Sequence, residues 1–563
     1  MIRDYCLKAK TALWPVIIIC LFTGTLFGVD KDSDYHLIEA AYQSGQIGYE
    51  EKLVRQIGSI FDPQTSSTAL TTATEPVIKS ATGLMMAVKE NWDNFSKDQQ
   101  TYLSAYVGRP SMPYSYDSPG GYFKIHYNTV GSDAVPDQDD NFNSIPDIVE
   151  RAGVYCDSAY STFITHKGYL QPPLDDGNGG DDKYDIYFLA ISAYGTTYPD
   201  FATDSAWNDF SSFMGIHRNF YGFPLNDDPE GDTIGAHKAT CAHEYFHAVQ
   251  LAYDNDFDNL WLMEACATRM EEVVFPEVND NYNYQHYFFN DPETSLASNS
   301  GYHMYGTFNW PTYLEEKFDP MITKRTWEAI RYNSALDALD SAFAPYAVEV
   351  ADIFADFTYW NYFTGSRAIP GRYYTSAADY NEIDIDISYP TLAHDSVVPI
   401  NGPDGLACNY IRFEIDTAKG ILELELDGSS IVQWAFSAVI SDDLTDTVLS
   451  APSQLGQPVV FYYPHIGDYQ SVAAIPTVIS RYQENNTYYL SSRVIPYGDA
   501  NFDRVVNVGD AVYLISHIFK GGEEPVPIWE TGDANCDGSI NVGDAVTVIN
   551  FVFKGGPEPC SSR

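Results

Sequence analysis

The sequence predicts a multidomain protein in which a mixed α+β domain is followed by an all-β sandwich and a small α-helical module. Three observations lead to this prediction. The 563 residues are enough for about three to four domains of roughly 150 residues each. The spacing of the hydrophobic residues changes to a strand-like alternation near residue 395, and the last part of the chain repeats itself.

Composition and charge narrow the class of protein further. With 45% hydrophobic and 19% charged residues, the chain has the balance of a globular protein, which excludes a wholly disordered one. It carries 31 Lys and Arg against 78 Asp and Glu, for a net charge of −47. Nucleic acid and anionic membrane surfaces would repel such a chain, so we expect neither as a partner. Acidic residues gathered in Asp- and Asn-rich loops favour bound Ca²⁺.

The first 28 residues have the features of a secretory signal peptide. A basic start precedes an apolar run over 12–27, and small residues lie near its end. A transmembrane span is the alternative, but the run is short and contains Pro15. No later segment approaches 18 uninterrupted apolar residues. We therefore expect a secreted protein, free or attached to the cell surface, with no membrane insertion once 1–28 is removed.

Four segments are expected after the signal peptide. Residues 29–115 carry helical periodicity and form a predicted helical N-terminal region, which is a candidate propeptide. Short strands and then long helices predict an α+β domain over 116–394. Alternating strand patterns predict the sandwich over 395–496. The repeat occupies 497–563.

The repeat is the clearest organisational signal in the chain. Residues 498–525 align with 532–559, 34 positions apart, and 18 of the 28 aligned residues are identical. Acidic and amide side chains occupy positions 1, 3, 5, 9 and 12 of a loop in each copy, and this spacing can turn their oxygens around one Ca²⁺, as in an EF-hand. These residues are Asp499, Asn501, Asp503, Asn507 and Asp510, then Asp533, Asn535, Asp537, Asn541 and Asp544.

Each loop ends in Asp and is followed by a single helix, and in this the repeats resemble type I dockerin modules. The resemblance covers 497–560. It implies two Ca²⁺ ions and docking to a cohesin-like receptor. The alternative is that the loops bind calcium only to fold a C-terminal cap. Arg504 stands at position 6 of the first loop, where the second has Gly538, so the first turn is expected to be less favourable.

A third candidate calcium loop precedes a predicted helix near Pro146. Its oxygens follow positions 1, 3, 5, 7, 9 and 12, with Glu last. The residues are Asp139, Asn141, Asn143, Ile145 through its carbonyl, Asp147 and Glu150. An ordinary Asx-rich turn that caps the helix is the alternative.

One apolar helical segment carries the motif His243-Glu244-x-x-His247. Residues i and i+4 of a helix project from the same face one turn apart, so both imidazoles can bind one Zn²⁺. Glu244 then lies beside the metal, placed to take a proton from the attacking water. The spacing therefore predicts a catalytic zinc site.

Zinc needs a third protein ligand, and the sequence offers more than one. The metzincin pattern would place a Gly and a His where this chain has Gln250 and Tyr253. The alternative is a carboxylate from a following helix. Glu264 is the first candidate because small residues flank it and let two helices approach closely. Glu271 and Glu272, farther along the same helix, are competing ligands.

These motifs resemble those of the gluzincin metallopeptidases, and more closely a group of secreted bacterial metalloproteases that often end in sorting or dockerin-like modules. The resemblance rests on His-Glu-Tyr-Phe-His-Ala-Val-Gln at 243–250, Trp-Leu-Met-Glu-Ala at 261–265 and Met-Tyr-Gly at 304–306, and it extends over about 120–390. It implies an α+β gluzincin-like metallopeptidase domain that hydrolyses protein or peptide substrates.

The resemblance also implies roles for single residues. The zinc ligands it implies are His243, His247 and Glu264. Glu244 would be the general base or acid, and a downstream Tyr or His would stabilise the oxyanion, with Tyr305 the first candidate and His303 the second. Thermolysin-like gluzincins orient the first His with an Asp four residues beyond the ligand Glu, but this chain has Thr268 there. The partner of the first His is therefore left open.

Six cysteines remain after the signal peptide, and an exported protein can form disulfides. The expected pairs are Cys241 with Cys266, which would join the two ligand helices, and Cys536 with Cys560. Free buried thiols are the alternative for both pairs.

Two functions of different classes fit these observations. The first is a secreted zinc endopeptidase, tethered or docked through its calcium-binding module. The second is a catalytically inert extracellular binding or adhesion protein with a structural zinc site. Glu244 favours the enzyme, because a structural site has no need of an acid beside the metal. A glycosidase with paired carboxylates would leave the histidines of the motif unexplained.

Overall fold

A computed structural model describes residues 34–62, 77–203, 205–415, 417, 419–442 and 446–560. The expected signal peptide at 1–28 lies outside the described residues. The helices are α1 Asp34–Gln43, α2 Tyr49–Phe61, α3 Thr82–Glu90, α4 Lys97–Leu103, α5 Asp147–Tyr160, α6 Asp232–Leu251, α7 Leu260–Val274, α8 Tyr282–Phe289, α9 His303–Gly306, α10 Asn309–Lys317, α11 Ile322–Ile330, α12 Ala335–Phe343, α13 Val350–Tyr362, α14 Val508–Lys520 and α15 Val542–Lys554.

The strands belong to three sheets. They are β1 Ile78–Ser80, β2 Tyr114–Asp117, β3 Phe123–Tyr127, β4 Tyr184–Leu189, β5 Ala193–Ala202, β6 Phe210–His217, β7 Ile387–Tyr389, β8 His394–Val397, β9 Ala407–Cys408, β10 Ile411–Glu414, β11 Ile421–Gly428, β12 Trp434–Ser441, β13 Asp446–Pro452, β14 Val459–Tyr463, β15 Ser471–Val478 and β16 Tyr488–Ile495. The chain is therefore multidomain, with both α and β content.

The first sheet has six strands in the order β1-β5-β6-β4-β3-β2. Its centre is parallel, since β4 runs parallel to both β3 and β6, while β5 is antiparallel to β6. Strands β4 and β6 are buried almost throughout because helices cover the sheet. Helix α6 packs across β5 and β6.

Helix α6 runs through the middle of this domain. Every residue from Gly235 to Leu251 is buried, so this part of the helix has no solvent-exposed face. This is the pattern of a helix that is packed on all sides. Helix α5 packs against it on one side and α7 on another. The polar residues on α6 are consequently held in the core, where each needs a partner.

The N-terminal region packs against the same domain. Helix α2 buries its apolar face in a cluster shared with α3 and β5. Strand β1 joins the sheet itself, with Ile78 opposite Ala193 and Ser80 opposite Gly195. The chain from β1 onward is thus continuous with the first sheet, whereas the sequence suggested a boundary at residue 115.

The segment after α13 forms two facing sheets. One has the order β13-β12-β15-β10-β7, with β9 beside β15, and the other has the order β14-β11-β16-β8. Alternation in β11 places Leu422, Leu424 and Leu426 in a core shared by the two sheets. Strand β7, which precedes the boundary expected at 395, pairs with β10.

The last helices, α14 and α15, pack against each other.

Among the described residues, no helix combines the length and apolar character that spanning a membrane requires.

The cysteines follow one of the two expected pairings. Cys536 and Cys560 form a disulfide, so this prediction is confirmed. The expected bond between Cys241 and Cys266 is wrong, because both are free buried thiols. Each lies two residues from a ligand candidate, and two residues turn a helix by about 200°. When the ligand faces of α6 and α7 meet, the cysteines point away, and Cys241 contacts Cys156 instead.

Close packing of β5 on α6 gives a test of the fold. A Cβ atom on Gly195 would lie 2.6 Å from Cγ of Glu244. We expect Gly195→Ala to destabilise the domain by about 1–3 kcal/mol, the usual effect of overpacking, and to lower its midpoint of thermal unfolding. Gly108→Ala is the control, since its Cβ would meet nothing nearer than the Ser104 carbonyl at 3.9 Å. Equal midpoints for the two variants would contradict this packing.

Candidate metal centre and calcium loops

Three ligand atoms meet where α6 crosses α7. Glu264 Oε2 lies 3.0 Å from His243 Nε2 and 3.2 Å from His247 Nε2. All three side chains are buried, and their ligand atoms lie within 4.8 Å of one another. The two helices thus bring together the residues that the sequence singled out.

These residues fit a bound metal ion. Glu264 Oε1 is buried and has no hydrogen-bond partner among the described residues, and His247 Nε2 has only its ion-pair contact with Glu264 Oε2 at 3.2 Å. Buried polar atoms are normally satisfied, so an unpartnered oxygen at a converging site points to a missing ligand. Two imidazole nitrogens and one carboxylate oxygen form a donor set that suits Zn²⁺ and leaves a position open.

Glu244 lies beside this centre without being one of the converging ligands. Its Oε2 accepts hydrogen bonds from the hydroxyl groups of Thr82, at 3.1 Å, and Thr197, at 2.8 Å. Its Oε1 is buried and has no hydrogen-bond partner in the described part of the chain. One carboxylate oxygen is therefore fixed and the other is available to a further proton donor.

Two further side chains orient the histidines. His247 Nδ1 lies 2.7 Å from Gln250 Oε1, and Gln250 donates in turn to the Met263 carbonyl at 2.9 Å. His243 Nδ1 lies 2.8 Å from Glu271 Oε1. Each imidazole thus has its Nδ1 occupied, which directs Nε2 to the metal centre. Glu271, a competing ligand in the sequence analysis, contacts the far side of His243.

The two oxyanion candidates lie in different environments. Tyr305 is buried beside the centre, with its ring centroid 6.3 Å from that of His243, and its hydroxyl donates to the Ser80 carbonyl at 3.0 Å. His303 does not face the centre. Its Nδ1 and Nε2 lie 3.3 and 3.1 Å from the carbonyl oxygens of Tyr287 and Ser295.

Burial and charge shift the pKa values of the two acids in opposite directions. Burial raises the pKa of Glu244 above its usual value, against the opposing effect of His247 and His243. Burial would also raise the pKa of Glu264, but the same two histidines lower it to about 2. Glu264 is therefore held ionised, while Glu244 binds a proton more readily.

A cavity of about 380 Å³ opens beside the centre. Glu264 and Tyr305 line its inner end, and residues of α1 and α2 form much of its wall. The wall residue Glu39 of α1 pairs with Lys52 of α2 at 2.8 Å. Access to the centre from this side therefore passes between the N-terminal helices and α7.

The two C-terminal loops have the same backbone geometry. In the first, Asp499 accepts from the amides of Asp503 and Arg504, both at 3.0 Å. In the second, Asp533 accepts from those of Asp537 at 3.1 Å and Gly538 at 2.9 Å. Carboxylates of the first loop gather within 4.8 Å of one another, namely Asp499, Asp503 and Asp510.

Position 6 shows how the first loop tolerates a non-glycine residue. Arg504 has φ +74°, close to the +84° of Gly538 in the second loop. Its guanidinium binds both oxygens of Glu423 on β11, at 2.9 and 3.1 Å, and lies over the Phe502 ring. A contact with the sandwich therefore offsets the unfavourable turn.

The loop before α5 repeats this geometry. Asp139 accepts from the amides of Asn143 at 3.1 Å and Ser144 at 2.8 Å, and Asn143 Oδ1 accepts from the amide of Ile145 at 2.8 Å. Ser144, at position 6, has φ +71°. The remaining predicted ligands Asn141, Asp147 and Glu150 lie in the same loop and the first turns of α5, with Asn141 donating to Glu150.

The dockerin type I domain family matches residues 497–553. The match covers both C-terminal loops and nearly all of α14 and α15, so the chain ends in a dockerin module, which implies Ca²⁺ binding. Dockerin domains bind cohesin partners and occur in extracellular cellulosome components. No curated protein matches the chain in sequence.

Some residues at the centre were not singled out by the sequence. Gln250 stands three residues after His247, a spacing at which two helical side chains meet, so the sequence contained that signal. Thr82 and Thr197 hold Glu244 from segments more than forty residues away in the chain. No local pattern indicates such contacts.

The dockerin module gives a test of calcium-dependent folding. Its own apolar core is small, and Asp499, Asp510 and Asp544 are buried. We expect chelation by EGTA to raise amide hydrogen exchange in α14 and α15 by about 100-fold, the effect of losing an ion present at 100 times its Kd. Added Ca²⁺ should reverse this. Strands β12 and β15, in the other sheet of the sandwich, are the internal control, and unchanged exchange in the helices would contradict the expectation.

Proposed function

We propose that the α+β domain is a zinc-dependent endopeptidase, and that the protein is exported and then docked through its dockerin module. The observation that carries this proposal is the buried convergence of His243, His247 and Glu264 with Glu244 beside them. A purely structural site needs ligands alone. Here a carboxylate with one unpartnered oxygen adjoins the ligands, which supports hydrolysis.

The ligand residues would hold one Zn²⁺, which supplies Lewis-acid chemistry and activates water at neutral pH. Glu244 takes the proton of the attacking water on its available oxygen and returns it to the leaving amine. Thr82 and Thr197 keep its other oxygen in place during both transfers. Tyr305 donates its hydroxyl to the developing oxyanion, exchanging its present bond with Ser80 for one to substrate.

The cavity beside Glu264 is the proposed substrate site. Its wall includes apolar side chains such as Leu53, Leu84 and Met304, which suit an apolar side chain of a peptide. Helices α1 and α2 form the outer wall, so they are the part of the candidate propeptide that can leave without removing a contact to Glu244. The chain from β1 onward stays with the enzyme.

The dockerin module is proposed to dock a cohesin-like receptor. Helices α14 and α15 expose corresponding apolar residues: Val508, Val512 and Phe519 on the first, and Val542, Val546 and Phe553 on the second. Apolar patches of this kind mark protein interaction sites. The duplicated surfaces would allow two related docking poses.

An inert adhesion protein with a structural zinc ion is the second candidate. It would explain the sandwich and the dockerin module equally well. It gives no role to Glu244, whose burial without a counter-ion of its own is unfavourable. Peptide cleavage decides between the two.

Peptide cleavage is the direct test of the proposal. Protein lacking 1–28 is incubated with a peptide library, and the products are identified by mass spectrometry. We expect Glu244→Gln to reduce cleavage by about 100-fold or more, the usual effect of removing a general base, while one zinc per chain is retained. Glu277→Gln, an exposed carboxylate, is the matched control. Equal cleavage by Glu244→Gln and wild type would contradict the assigned role, and silence of the wild type with zinc bound would favour the adhesion protein.

We also propose a third calcium ion in the loop over 139–150, since its spacing and amide bonds follow those of the dockerin loops. Calcium titration by calorimetry should then give one more ion than the two of the dockerin module. Asp139→Ala should remove that ion, because position 1 provides both a ligand and the acceptor for two loop amides. Asp140→Ala, at position 2, should not. Two ions in the wild type would contradict the third site.

A further inference from the structure

Lys79 is a buried cation in the middle of strand β1. Only 2% of its side chain is exposed. Its Nζ lies 2.9 Å from Glu271 Oε2, contacts Asp280, and lies over the rings of Tyr194 and Tyr284, 5.1 and 4.6 Å from their centroids. Burial alone would lower the pKa of Lys79, but Asp280 and Glu271 raise it above its usual value. The ammonium group is therefore charged inside the core.

Glu271 connects this cation to the metal centre. One of its oxygens, Oε2, faces Lys79, and the other, Oε1, lies 2.8 Å from His243 Nδ1. An ionised carboxylate only accepts hydrogen bonds, so His243 donates to Glu271 through Nδ1, which leaves the lone pair of Nε2 for a metal ion at the centre. Asp280 is fixed by the Tyr194 hydroxyl at 3.0 Å, which steadies the other side of the ammonium.

We propose that Lys79 is a positioning residue of the metal centre, acting through Glu271 on the ligand His243. Lys79 fixes the position of Glu271, and Glu271 fixes the ring orientation and the tautomer of His243. This inference rests on the proposed function only in taking His243 as a metal ligand. It does not depend on peptide hydrolysis.

Ser80 at the end of β1 and Thr82 at the start of α3 also contact side chains of the centre. Ser80 bonds the Tyr305 hydroxyl and Thr82 bonds Glu244. Three residues within one short segment therefore reach the first ligand, the oxyanion candidate and the general base. An N-terminal cleavage that produces the active enzyme must lie before this segment.

Zinc affinity measured by competition with a chromophoric chelator tests the proposal on the full chain. We expect Lys79→Met to weaken zinc binding by about 10- to 100-fold, the usual effect of losing an outer partner of a ligand. Lys79→Arg should restore much of the loss, because it keeps the charge. Lys238→Met is the matched control: Lys238 is also buried, but it pairs with Asp228 at 2.8 Å and with Glu230 and Glu277, which lie away from the centre.

A second variant separates positioning from general destabilisation. Glu271→Gln keeps the size of the bridging side chain but removes its charge, and it should also weaken zinc binding. The double variant Lys79→Met/Glu271→Gln should be little worse than either single variant, because both interrupt one chain of contacts. The visible spectrum of the Co²⁺-substituted protein should change in Lys79→Met and not in Lys238→Met.

The outcomes are distinct. Wild-type zinc affinity and an unchanged Co²⁺ spectrum in both Lys79→Met and Glu271→Gln would overturn the proposal. Equal losses in Lys79→Met and Lys238→Met would do the same, since they would reflect destabilisation alone. Weakened zinc binding together with no peptide cleavage by the wild type would support the positioning role and refute the peptidase.

Discussion

The α+β domain must compensate the negative charge of an ionised carboxylate, Glu264, in the middle of its core. Burying such a charge is costly unless partners surround it. Two imidazoles lie 3.0 and 3.2 Å from one of its oxygens, and the other oxygen is buried without a hydrogen-bond partner among the described residues. Helices α6 and α7 must therefore cross with their ligand faces together. Glu271, which pairs with the buried Lys79, contacts the far side of one of these imidazoles, that of His243.

The dockerin module meets a similar requirement with much less apolar material. Its loops bury carboxylates of Asp499, Asp510 and Asp544 beside a core of a few small side chains. Backbone amides donate hydrogen bonds to these oxygens, and a bound cation would compensate the remaining negative charge. The contact between Arg504 and Glu423 then joins the first loop to the sandwich. Arg504 thus belongs both to the first loop and to the attachment of the module to the sandwich.

The sequence predicts side chains that share a helix face or a loop, because these residues lie close together along the chain. The two histidines share a helix face by spacing alone, and the calcium ligands follow the repeat. Glu264 could be put ahead of Glu271 and Glu272 because small residues flank it and let the two helices approach closely. Contacts between distant segments could not be predicted: Lys79 of β1 and Thr82 at the start of α3 contact the centre, and no local sequence pattern indicated either contact. The expected Cys241–Cys266 bond was wrong because a residue two positions from a ligand lies on the opposite side of its helix.

X-ray absorption at the zinc K-edge of the purified full chain identifies the atoms bound to the metal and so distinguishes the His243, His247 and Glu264 site from any other. We expect one zinc per chain with nitrogen and oxygen ligands only, at about 2.0–2.2 Å, including the signature of two imidazoles. His243→Ala should abolish that environment. A sulfur shell near about 2.3 Å, or zinc bound equally well by His243→Ala, would place the metal elsewhere and contradict the account.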